Sequence, residues 1–354
     1  MNLSEIFSFE NLYSAYKHCR NSKQHKGEVI RFESNLSVNI SNLSKELINK
    51  TYKLGKYKKF YIYEPKERLI EALPFKDRVM VRCFCDIVLR DKIEVKLIYD
   101  NCACRKNKGT TFAINRLHIF LRNEYMKSKD NNIYFLKCDI CKYFPSINHD
   151  ILISMLQKID FSDDEMWIMK KLIKEQPDNA TKGLPLGNQT SQWFALLYLN
   201  GVDHFIKEQL KIKHYVRYMD DMILIHKDKE YLSLCKKKIE EYCNNILDLE
   251  LNDKTQIGMT KNGIDFLGYR HIINSNGKII VKLRHSSKQR MKKHLKTLYK
   301  IYNNGLVDDE YVYQRKNAFY NHIEWTAESK RLKDEVFPFE DDKSFKFVQK
   351  YVKE

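Results

Sequence analysis

The segment HYVRYMDDMILIH, residues His214 to His226, decides the fold class. Two short runs of β-branched and aromatic residues flank the adjacent acids Asp220 and Asp221, a pattern that predicts a β-hairpin with carboxylates at its tip. Like charges side by side repel each other and lose hydration against apolar strands, so these acids need a cation partner or open water. An exposed acidic turn would also explain a bare pair of aspartates, but a third acid stands in a matching context.

That third acid is Asp139, which follows the apolar run Ile133 to Cys138 and precedes a turn and a helix that begins near Asn148. Two buried strands from distant parts of the chain can bring Asp139 and Asp220 side by side. Such a cluster suits Mg²⁺, a hard ion that takes oxygen ligands at about 2.0–2.1 Å and keeps room for substrate phosphates. Two such ions, about 3.5–4 Å apart, would activate a hydroxyl and stabilise a departing pyrophosphate, so phosphoryl transfer is the leading chemistry.

The composition is that of a folded and strongly basic protein. A chain of 354 residues with 43% hydrophobic content can build the core of two or three subdomains. A formal charge of +17 predicts a polyanionic partner, because Lys and Arg gain affinity by releasing counterions from phosphates. We find no apolar run of about 18–20 residues and no signal peptide, and therefore expect a cytoplasmic protein without a membrane partner.

Nine cysteines raise the question of a zinc site. Three close pairs stand out among them: Cys83 and Cys85, Cys102 and Cys104, and Cys138 and Cys141. Two of the pairs are CxC, and the third brackets Asp139 on a predicted core strand, so four tetrahedral ligands with workable geometry are not expected. We expect reduced thiols that serve as small apolar side chains.

Four ordered motifs resemble those of reverse transcriptases. They are YMDD at Tyr218 to Asp221, the Asp139 segment with FPSINH, GLPLGNQTSQ at Gly183 to Gln192, and FLGY at Phe266 to Tyr269. Their order and spacing cover roughly Arg68 to Tyr269. The resemblance implies an α+β right-hand polymerase fold with an antiparallel palm sheet, fingers and an α-helical thumb, and it implies RNA-directed DNA synthesis.

The same resemblance implies a set of catalytic residues. Mg²⁺, as two ions and with Mn²⁺ as an alternative, would be held by Asp139, Asp220 and the carbonyl of Ile140, while Asp221 would support the site or act as a further ligand. Phe144 would stack under the sugar of a deoxynucleotide, where its ring leaves no room for a 2′-hydroxyl. For a lone phenylalanine, core packing is the alternative.

The nucleotide's triphosphate would be bound by cations of the fingers. The text from Tyr57 to Asp91 predicts a β-hairpin and then a helix that starts near Lys76, and PKERLIEALPFKDR resembles the segment that covers the incoming nucleotide. Lys66, Arg68 and Arg78 are the available cations, and a triphosphate needs at least one or two of them. A surface salt bridge is the alternative role for each.

Four further residues are expected near the nucleotide or the nascent base pair. Gly187 allows the backbone to lie against a base pair, and Lys254 could protonate the departing pyrophosphate. Gln192 and Leu186 stand where a Pro and a Gln are commoner in relatives. This departure suggests low copying fidelity as a hypothesis.

Two basic regions are candidates for nucleic-acid contact. Arg105, Lys106 and Lys108 precede a helix beside Gly109, so a template phosphate could approach the backbone there, unless this is a flexible loop whose charges only aid solubility. From Lys278 to Lys300 the chain carries nine basic residues and no acidic one. An amphipathic helix with four outward cations is expected to track a duplex, with a solvated face as the alternative. These cations are Arg290, Lys292, Lys293 and Lys296. The FLGY hairpin resembles the one that grips the primer end, with Gly268 for close backbone approach.

The remaining segments are predicted as helical scaffold. Ser162 and Glu165 make a capping box, and the chain up to about Leu54 is helical, either as a brace that touches RNA or as a packing helix pair. A further helix covers Lys229 to Leu247. Its inward side chains are expected to be Leu232, Leu234, Ile239, Tyr242 and Ile246.

The sequence therefore predicts three parts and a set of partners. Residues 1–54 form a basic helical extension, 55–277 the fingers and palm, and 278–354 the thumb with a C-terminal extension. The expected partners are a template or noncoding RNA, a DNA or RNA primer, the cDNA product, deoxynucleoside triphosphates, and an accessory protein or second reverse transcriptase.

The biological role stays open between two settings. The SQ pair, Ser191 and Gln192, is similar to diversity-generating retroelement enzymes and to unassigned or phage-defence bacterial reverse transcriptases. Mutagenic copying of a template and antiphage defence with a noncoding RNA are both compatible with it. Outside the enzymes, a catalytically idle RNA-binding scaffold is the alternative.

Overall fold

The computed structural model describes residues 1–64, 66–128, 132–175 and 180–336. By its internal contacts the chain divides into two compact units. The first comprises Met1–Ala113, Leu136–Leu224 and Glu230–Gln256, and the second comprises Ile114–Phe135, Ile225–Lys229 and Ile257–Glu354. The predicted boundaries at residues 54 and 277 stay predictions, and the end of the predicted thumb, beyond residue 336, lies outside the described residues.

The N-terminal segment is helical, as its apolar period predicts. Its helices are α1 (Leu3–Ile6), α2 (Phe9–Arg20), α3 (Gly27–Glu33) and α4 (Leu36–Ile48). Asn2 and Glu5 form a capping box at α1, and the Ser8 hydroxyl caps α2, which satisfies amide groups that helix starts leave unpaired. Apolar residues on one side of these helices, such as Leu12 and Leu43, are fully buried, so the segment packs into the first unit.

A two-stranded antiparallel sheet follows, with β1 (Lys58–Ile62) paired to β2 (Arg68–Ala72). Helix α5 (Phe75–Phe84) starts where the sequence predicts it and continues through a π-helical turn at Cys85–Leu89 into α6 (Arg90–Glu94). The Glu71 amide on β2 donates to the Leu186 carbonyl at 3.1 Å, and this bond connects the hairpin to the rest of the unit.

The four-stranded sheet holds the segment that decided the fold class. It contains β3 (Tyr134–Cys138), β4 (His214–Tyr218), β5 (Asp221–His226) and β6 (Gln256–Met259), in the order β4-β5-β3-β6. Only Met219 and Asp220 separate β4 from β5, and a connection this short joins antiparallel strands. The predicted hairpin with acids at its tip is confirmed. Because β3 lies beside β5, the strand that ends before Asp139 is a neighbour of the strand that begins at Asp221.

Most of the remaining helices belong to the first unit. They are α8 (Tyr143–Ser146), α9 (His149–Gln157), α10 (Asp163–Lys174), α11 (Gln189–Tyr198), α12 (Asn200–His204) and α13 (Lys229–Leu247), while α7 (Thr110–Ser128) runs mostly in the second unit. The predicted capping box of Ser162 and Glu165 is present at α10.

One part of the helix prediction is wrong. Leu234 and Ile246 of α13 were expected to face inward, but they are 46% and 52% exposed. Cys235 and Cys243 are fully buried instead, at three and eleven residues after the buried Leu232. The helical period selects these positions, and the small thiols fill them because the core there is close-packed.

In its described part, the second unit contains a three-stranded antiparallel sheet and three α-helices in addition to most of α7. The strands are β7 (Ile264–Phe266), β8 (Tyr269–Ile273) and β9 (Ile279–Leu283), and the helices are α14 (His285–Asn303), α15 (Asp309–Ile323) and α16 (Ser329–Val336). Met291, Leu295 and Leu298 are the buried side chains of α14. In the described ranges, no helix is both long and apolar enough to cross a membrane.

Candidate active site

The buried side chain of Arg217 supports the turn that carries Asp220. Arg217 on β4 donates from Nη1 to the carbonyl of Met219 at 2.8 Å. Met219 has a positive backbone φ of 55°, which residues other than glycine rarely adopt. The hydrogen bond from Arg217 therefore supports a strained turn. The arrangement fixes the backbone from which the first carboxylate projects.

Arg217 is itself neutralised inside the unit. Its Nε and Nη2 donate to the two carboxylate oxygens of Asp203 at 2.7 and 2.6 Å, and both side chains have no exposed surface. Tyr215 donates from its hydroxyl to Asp203 at 2.6 Å. A two-pronged, charge-assisted pair of this kind is geometrically specific, and it is stable in a core only because all its polar atoms are bonded.

Asp139 lies directly after β3, on a backbone that a neighbouring segment holds in place. The Asp139 carbonyl accepts from the Asn252 amide at 2.7 Å, and its own amide donates to the Thr255 hydroxyl at 3.4 Å. Ile140 pairs with Leu251 in a single bridge. Lys254 belongs to the same turn and is exposed. The predicted metal ligands and the predicted general acid are therefore carried by adjoining pieces of chain.

Asp220 sits in an unfavourable environment for a carboxylate. Burial raises its pKa, the negative charge of Asp139 raises it further, and the charges of Arg68 and Arg217 oppose this effect. The structure thus brings Asp139, Asp220 and Arg68 into one electrostatic neighbourhood. A hard divalent cation fits this donor set, since carboxylate oxygens are its preferred ligands and the repulsion between the acids is what its charge would remove.

Asp221 has a different partner. The Lys137 ammonium on β3 lies 3.0 Å from one Asp221 oxygen and donates to the other at 3.2 Å. Burial raises the pKa of Asp221 to about 6, although Lys137 lowers it. Across the described part of the chain, no three His, Cys, Asp or Glu side chains are grouped so that they could hold a metal ion. The charges of Asp139 and Asp220 also raise the pKa of Asp221, so the three acids lie close enough to influence one another, and Asp221 forms an ion pair with Lys137.

The predicted fingers cations differ in their surroundings. Arg68 is close enough to influence Asp220, and Lys66 is exposed. Arg78 on α5 forms an ion pair with Glu28 of the N-terminal helix α3 and lies over the ring of Phe75. The structure brings only Arg68 of these three to the carboxylates. Triphosphate contact by all three stays a prediction.

The GLPLGNQTSQ loop lies against the fingers hairpin. Gly187 has a φ of +125°, and a Cβ there would lie 3.3 Å from the Glu71 carbonyl oxygen, so a larger residue would strain both backbones. Asn188 donates to the Tyr57 hydroxyl at 3.1 Å. The Gln192 side chain is exposed and accepts from the Cys104 thiol at 3.4 Å.

Phe144, the predicted sugar gate, is half-buried in α8. Its ring packs edge-on against the buried ring of Tyr143, with centroids 5.7 Å apart. Its carbonyl accepts from the Leu184 amide at 2.9 Å, which joins α8 to the glycine-bearing loop. Part of the ring is thus covered by core contacts, and contact with a sugar stays a prediction.

The basic loop before α7 contains one outward cation and two engaged ones. Arg105 bonds to Glu94 at 3.0 Å and to the carbonyls of Ile98 and Asn101, and only 10% of its side chain is exposed. Lys108 donates to the Tyr99 carbonyl and lies 4.3 Å from the centre of that ring. Lys106 is exposed. Arg105 therefore braces the loop, and template contact by the three residues stays a prediction.

In the second unit, the predicted primer and duplex contacts lie on β7, β8 and α14. Gly268 has a φ of +90° in the turn between the strands, and its carbonyl accepts from the Arg284 amide at 3.1 Å. Lys292, Lys293 and Lys296 are exposed on α14, and Arg290 is half-buried. The predicted basic helix face is present, whereas its ligand stays a prediction.

Sequence reasoning missed Lys137, Asp203 and Arg217. Asp203 and Arg217 are the single charged residues of the stretches LNGVDHF and YVRYM, and Lys137 lies in the apolar strand segment FLKC, two residues before Asp139. A charge in such a stretch is costly unless it is paired, so the sequence already contained a signal for buried ion pairs. Which charge pairs with which depends on strand and helix packing that the pattern alone does not give.

Comparisons with known proteins agree with this architecture. The family model described as "Reverse transcriptase (RNA-dependent DNA polymerase)" matches residues 58–271. No curated protein sequence matches the chain.

Solved structures with a similar chain path include yeast telomerases. The telomerase of Candida albicans in complex with a TWJ fragment of telomeric RNA is 12% identical, with a TM-score of 0.49, and the match covers 89% of this chain and 63% of that one. The apo telomerase of Candida tropicalis is 15% identical, with a TM-score of 0.49, and the match covers 73% and 57%. The chain thus spans less than two thirds of the telomerase chains that it matches.

The predicted α+β right-hand polymerase fold with its antiparallel palm sheet is confirmed by the family match and by the elements described above. The matched region contains β1 through β8, the YMDD turn and Asp139. Because the match extends over more than half of the chain, this protein is a member of the reverse transcriptase family.

Proposed function

We propose that the chain is an RNA-directed DNA polymerase that extends a primer by two-metal nucleotidyl transfer. One observation carries the proposal: Asp220 is half-buried, and its pKa is raised by this partial burial and by the neighbouring charge of Asp139. A protein gains nothing in stability from two such acids. Their placement is favourable once a cation and the phosphates of a nucleotide are present.

Asp139, Asp220 and the carbonyl of Ile140 would hold Mg²⁺, or Mn²⁺ in its place. When bound, the two ions would lower the pKa of the primer hydroxyl and neutralise the charge that develops on the phosphates. Arg68, with Lys66 and Arg78, would bind the triphosphate. Lys254 would give a proton to the departing pyrophosphate.

Other residues would orient the nucleotide and the nascent base pair. The backbone at Gly187 would lie against the pair, with Gln192 beside it, and Phe144 would exclude a 2′-hydroxyl. The exposed lysines of α14, together with Arg105, Lys106, Lys108 and Gly268, would contact template, primer and duplex product. The formal charge of +17 supports a nucleic-acid partner.

The role would be cDNA synthesis on a dedicated RNA, in an antiphage defence system or a diversity-generating retroelement. The Ser191–Gln192 pair supports both settings. Sequencing the nucleic acid that copurifies with the chain would separate them, because mutagenic copying leaves cDNA that differs from its template at many positions. A faithful copy of a noncoding RNA would favour defence.

The proposed activity is tested by primer extension on a defined RNA template with deoxynucleoside triphosphates and Mg²⁺. Asp139→Asn and Asp220→Asn should each lower incorporation by roughly 10³-fold, because electrostatic stabilisation of the transition state is lost. Asp150→Asn, at an aspartate that is 87% exposed, is the matched control and should remain active. Template-dependent incorporation by Asp220→Asn would contradict the proposal, and RNA binding without incorporation by the wild type would favour the idle scaffold.

A further inference from the structure

The Lys137–Asp221 ion pair lies beside the proposed metal ligands, and the sequence motifs did not predict it. Lys137 stands two residues before Asp139 on one extended segment, so strand alternation puts both side chains on the same face. Asp221 begins β5, the neighbouring strand in the sheet. The lysine ammonium is thus built into the surface that presents the catalytic acids.

The pair is close and largely covered. The two Asp221 oxygens lie 3.0 and 3.2 Å from the ammonium, and only 14% of the Lys137 and 23% of the Asp221 side chain is exposed. The ammonium donates a hydrogen bond to one Asp221 oxygen, while the other oxygen is buried, lies within ion-pair distance and accepts no hydrogen bond among the described residues. A cation that approached this carboxylate would meet the positive charge of the lysine. A divalent ion would have to displace the lysine before it could be bound by Asp221.

The charges at the site differ in their partners. Lys137 offsets the charge of Asp221, while Asp139 and Asp220, which lie close enough to Asp221 to influence it, have no ion pair of comparable closeness among the described contacts.

We propose that Lys137 is a positioning residue that holds Asp221 out of the metal coordination sphere, so that Asp139 and Asp220 alone supply the carboxylate ligands. The second aspartate of the YMDD turn then acts through the lysine, as one half of a neutral pair. This inference rests on the proposed function, because it concerns the ions of that same site.

An ion pair that only stabilises the sheet would behave differently. Its removal would lower stability and leave the affinity for divalent ions unchanged. A pair that cancels charge beside the ions changes this affinity in opposite directions, depending on which partner is removed. Direct measurement of ion binding therefore separates the two roles without any use of the enzymatic activity.

The test measures Mn²⁺ binding to the full chain, without nucleotide, from the electron paramagnetic resonance signal of free Mn²⁺. Lys137→Met leaves an extra negative charge and should tighten binding on the order of tenfold. Asp221→Asn leaves an extra positive charge and should weaken it to a similar extent. The double variant Lys137→Met/Asp221→Asn restores neutrality and should return to within about twofold of the wild type.

Lys237→Met, at an exposed position of α13, is the matched control and should bind Mn²⁺ like the wild type. Circular dichroism of each variant establishes that it is folded. If Lys137→Met alone does not fold, Asp221→Asn and the double variant still decide the question, because the double variant replaces the whole pair.

Equal loss of affinity in Asp221→Asn and in the double variant would identify Asp221 as a ligand and overturn the inference. Unchanged affinity in all three variants would also overturn it. If the wild type binds Mn²⁺ and Asp220→Asn does not, such results overturn this inference alone. If the wild type binds no Mn²⁺, the proposed function and this inference fail together.

Discussion

Two aspartates of the first unit, the buried Asp203 and the half-buried Asp220, have opposite surroundings. Asp203 has no exposed surface, and Arg217 and Tyr215 satisfy its oxygens with three hydrogen bonds of 2.6–2.7 Å. Asp220 lies beside a second acid, and its pKa is raised. Asp203 therefore stabilises the core through an ion pair, whereas Asp220 is available to bind a cation. The difference lies in whether the chain itself supplies the compensating charge.

Arg217 joins the two regions. It neutralises Asp203 with two of its nitrogens and supports the Met219 carbonyl with the third. The Arg217–Asp203 pair therefore supports the turn that carries Asp220. A change at Arg217 should disturb both, whereas a change at Asp220 should disturb only the site.

The largest expected effect follows from breaking the compensated pair. Arg217→Met leaves the Asp203 carboxylate buried without its cation, and should lower the free energy of unfolding by about 3–5 kcal/mol. Urea unfolding followed by circular dichroism measures this change. The double variant Arg217→Met/Asp203→Leu removes both charges and should recover most of the loss. A single variant as stable as the wild type would show that Asp203 is neutralised in another way.

A second effect concerns pH in the absence of divalent ions. The pKa of Asp221 is about 6 in the folded chain and 3.8 as its ordinary value, so between these values the folded state binds the extra proton. Stability from this group is therefore present at low pH and is lost as the pH rises from about 4 to about 6. The loss should amount to about 2–3 kcal/mol, since one pKa unit corresponds to about 1.36 kcal/mol.

The pH effect is isolated by comparing the wild type with Asp221→Asn in urea at several pH values with a chelator present. The variant should gain stability relative to the wild type across this window. Asp150→Asn, which alters an exposed carboxyl group, should follow the wild type. A constant difference between the wild type and Asp221→Asn over the window would contradict the assignment.

A third effect is the stabilisation of the folded chain by Mg²⁺. Mg²⁺ at about ten times its dissociation constant should raise the free energy of unfolding by about 1.4 kcal/mol, because it binds the folded state. Thermal melting with Mg²⁺ and with chelator measures the shift. The shift should vanish in Asp139→Asn and Asp220→Asn. An equal shift in those variants would place the bound ion elsewhere.

The smallest effect has the opposite sign to the first. Asp220→Asn removes a half-buried carboxylate whose ionised form is disfavoured, and should raise the free energy of unfolding at pH 8 without divalent ions by up to about 1 kcal/mol. The same urea experiment measures it. A loss of stability as large as that of Arg217→Met would remove the distinction between the two aspartates.

The sequence predicted the parts of the fold that depend on local pattern. The alternation around Asp220 predicted the hairpin, and the capping box at Ser162 predicted the start of a helix. The apolar run before Asp139 predicted the strand β3. A shared metal site of Asp139 and Asp220 stays a prediction. Period and capping chemistry act over a few residues, so a single sequence contains them.

The parts that were missed depend on contacts between distant residues. Lys137 and Asp221 meet across neighbouring strands, and Arg78 pairs with Glu28 fifty positions earlier. Leu234 was assigned to the core by its residue type, while the helical period placed Cys235 there. Pairings of this kind are decided by the register and packing of whole elements, which residue type does not reveal.

The bond between the Glu71 amide and the Leu186 carbonyl, with Gly187 pressed against the same strand, has a mechanical consequence. Arg68 belongs to that strand, so a displacement of the hairpin is expected to be transmitted to the glycine-bearing loop. Contact of Arg68 with a triphosphate and placement of the base by the loop would then be coupled.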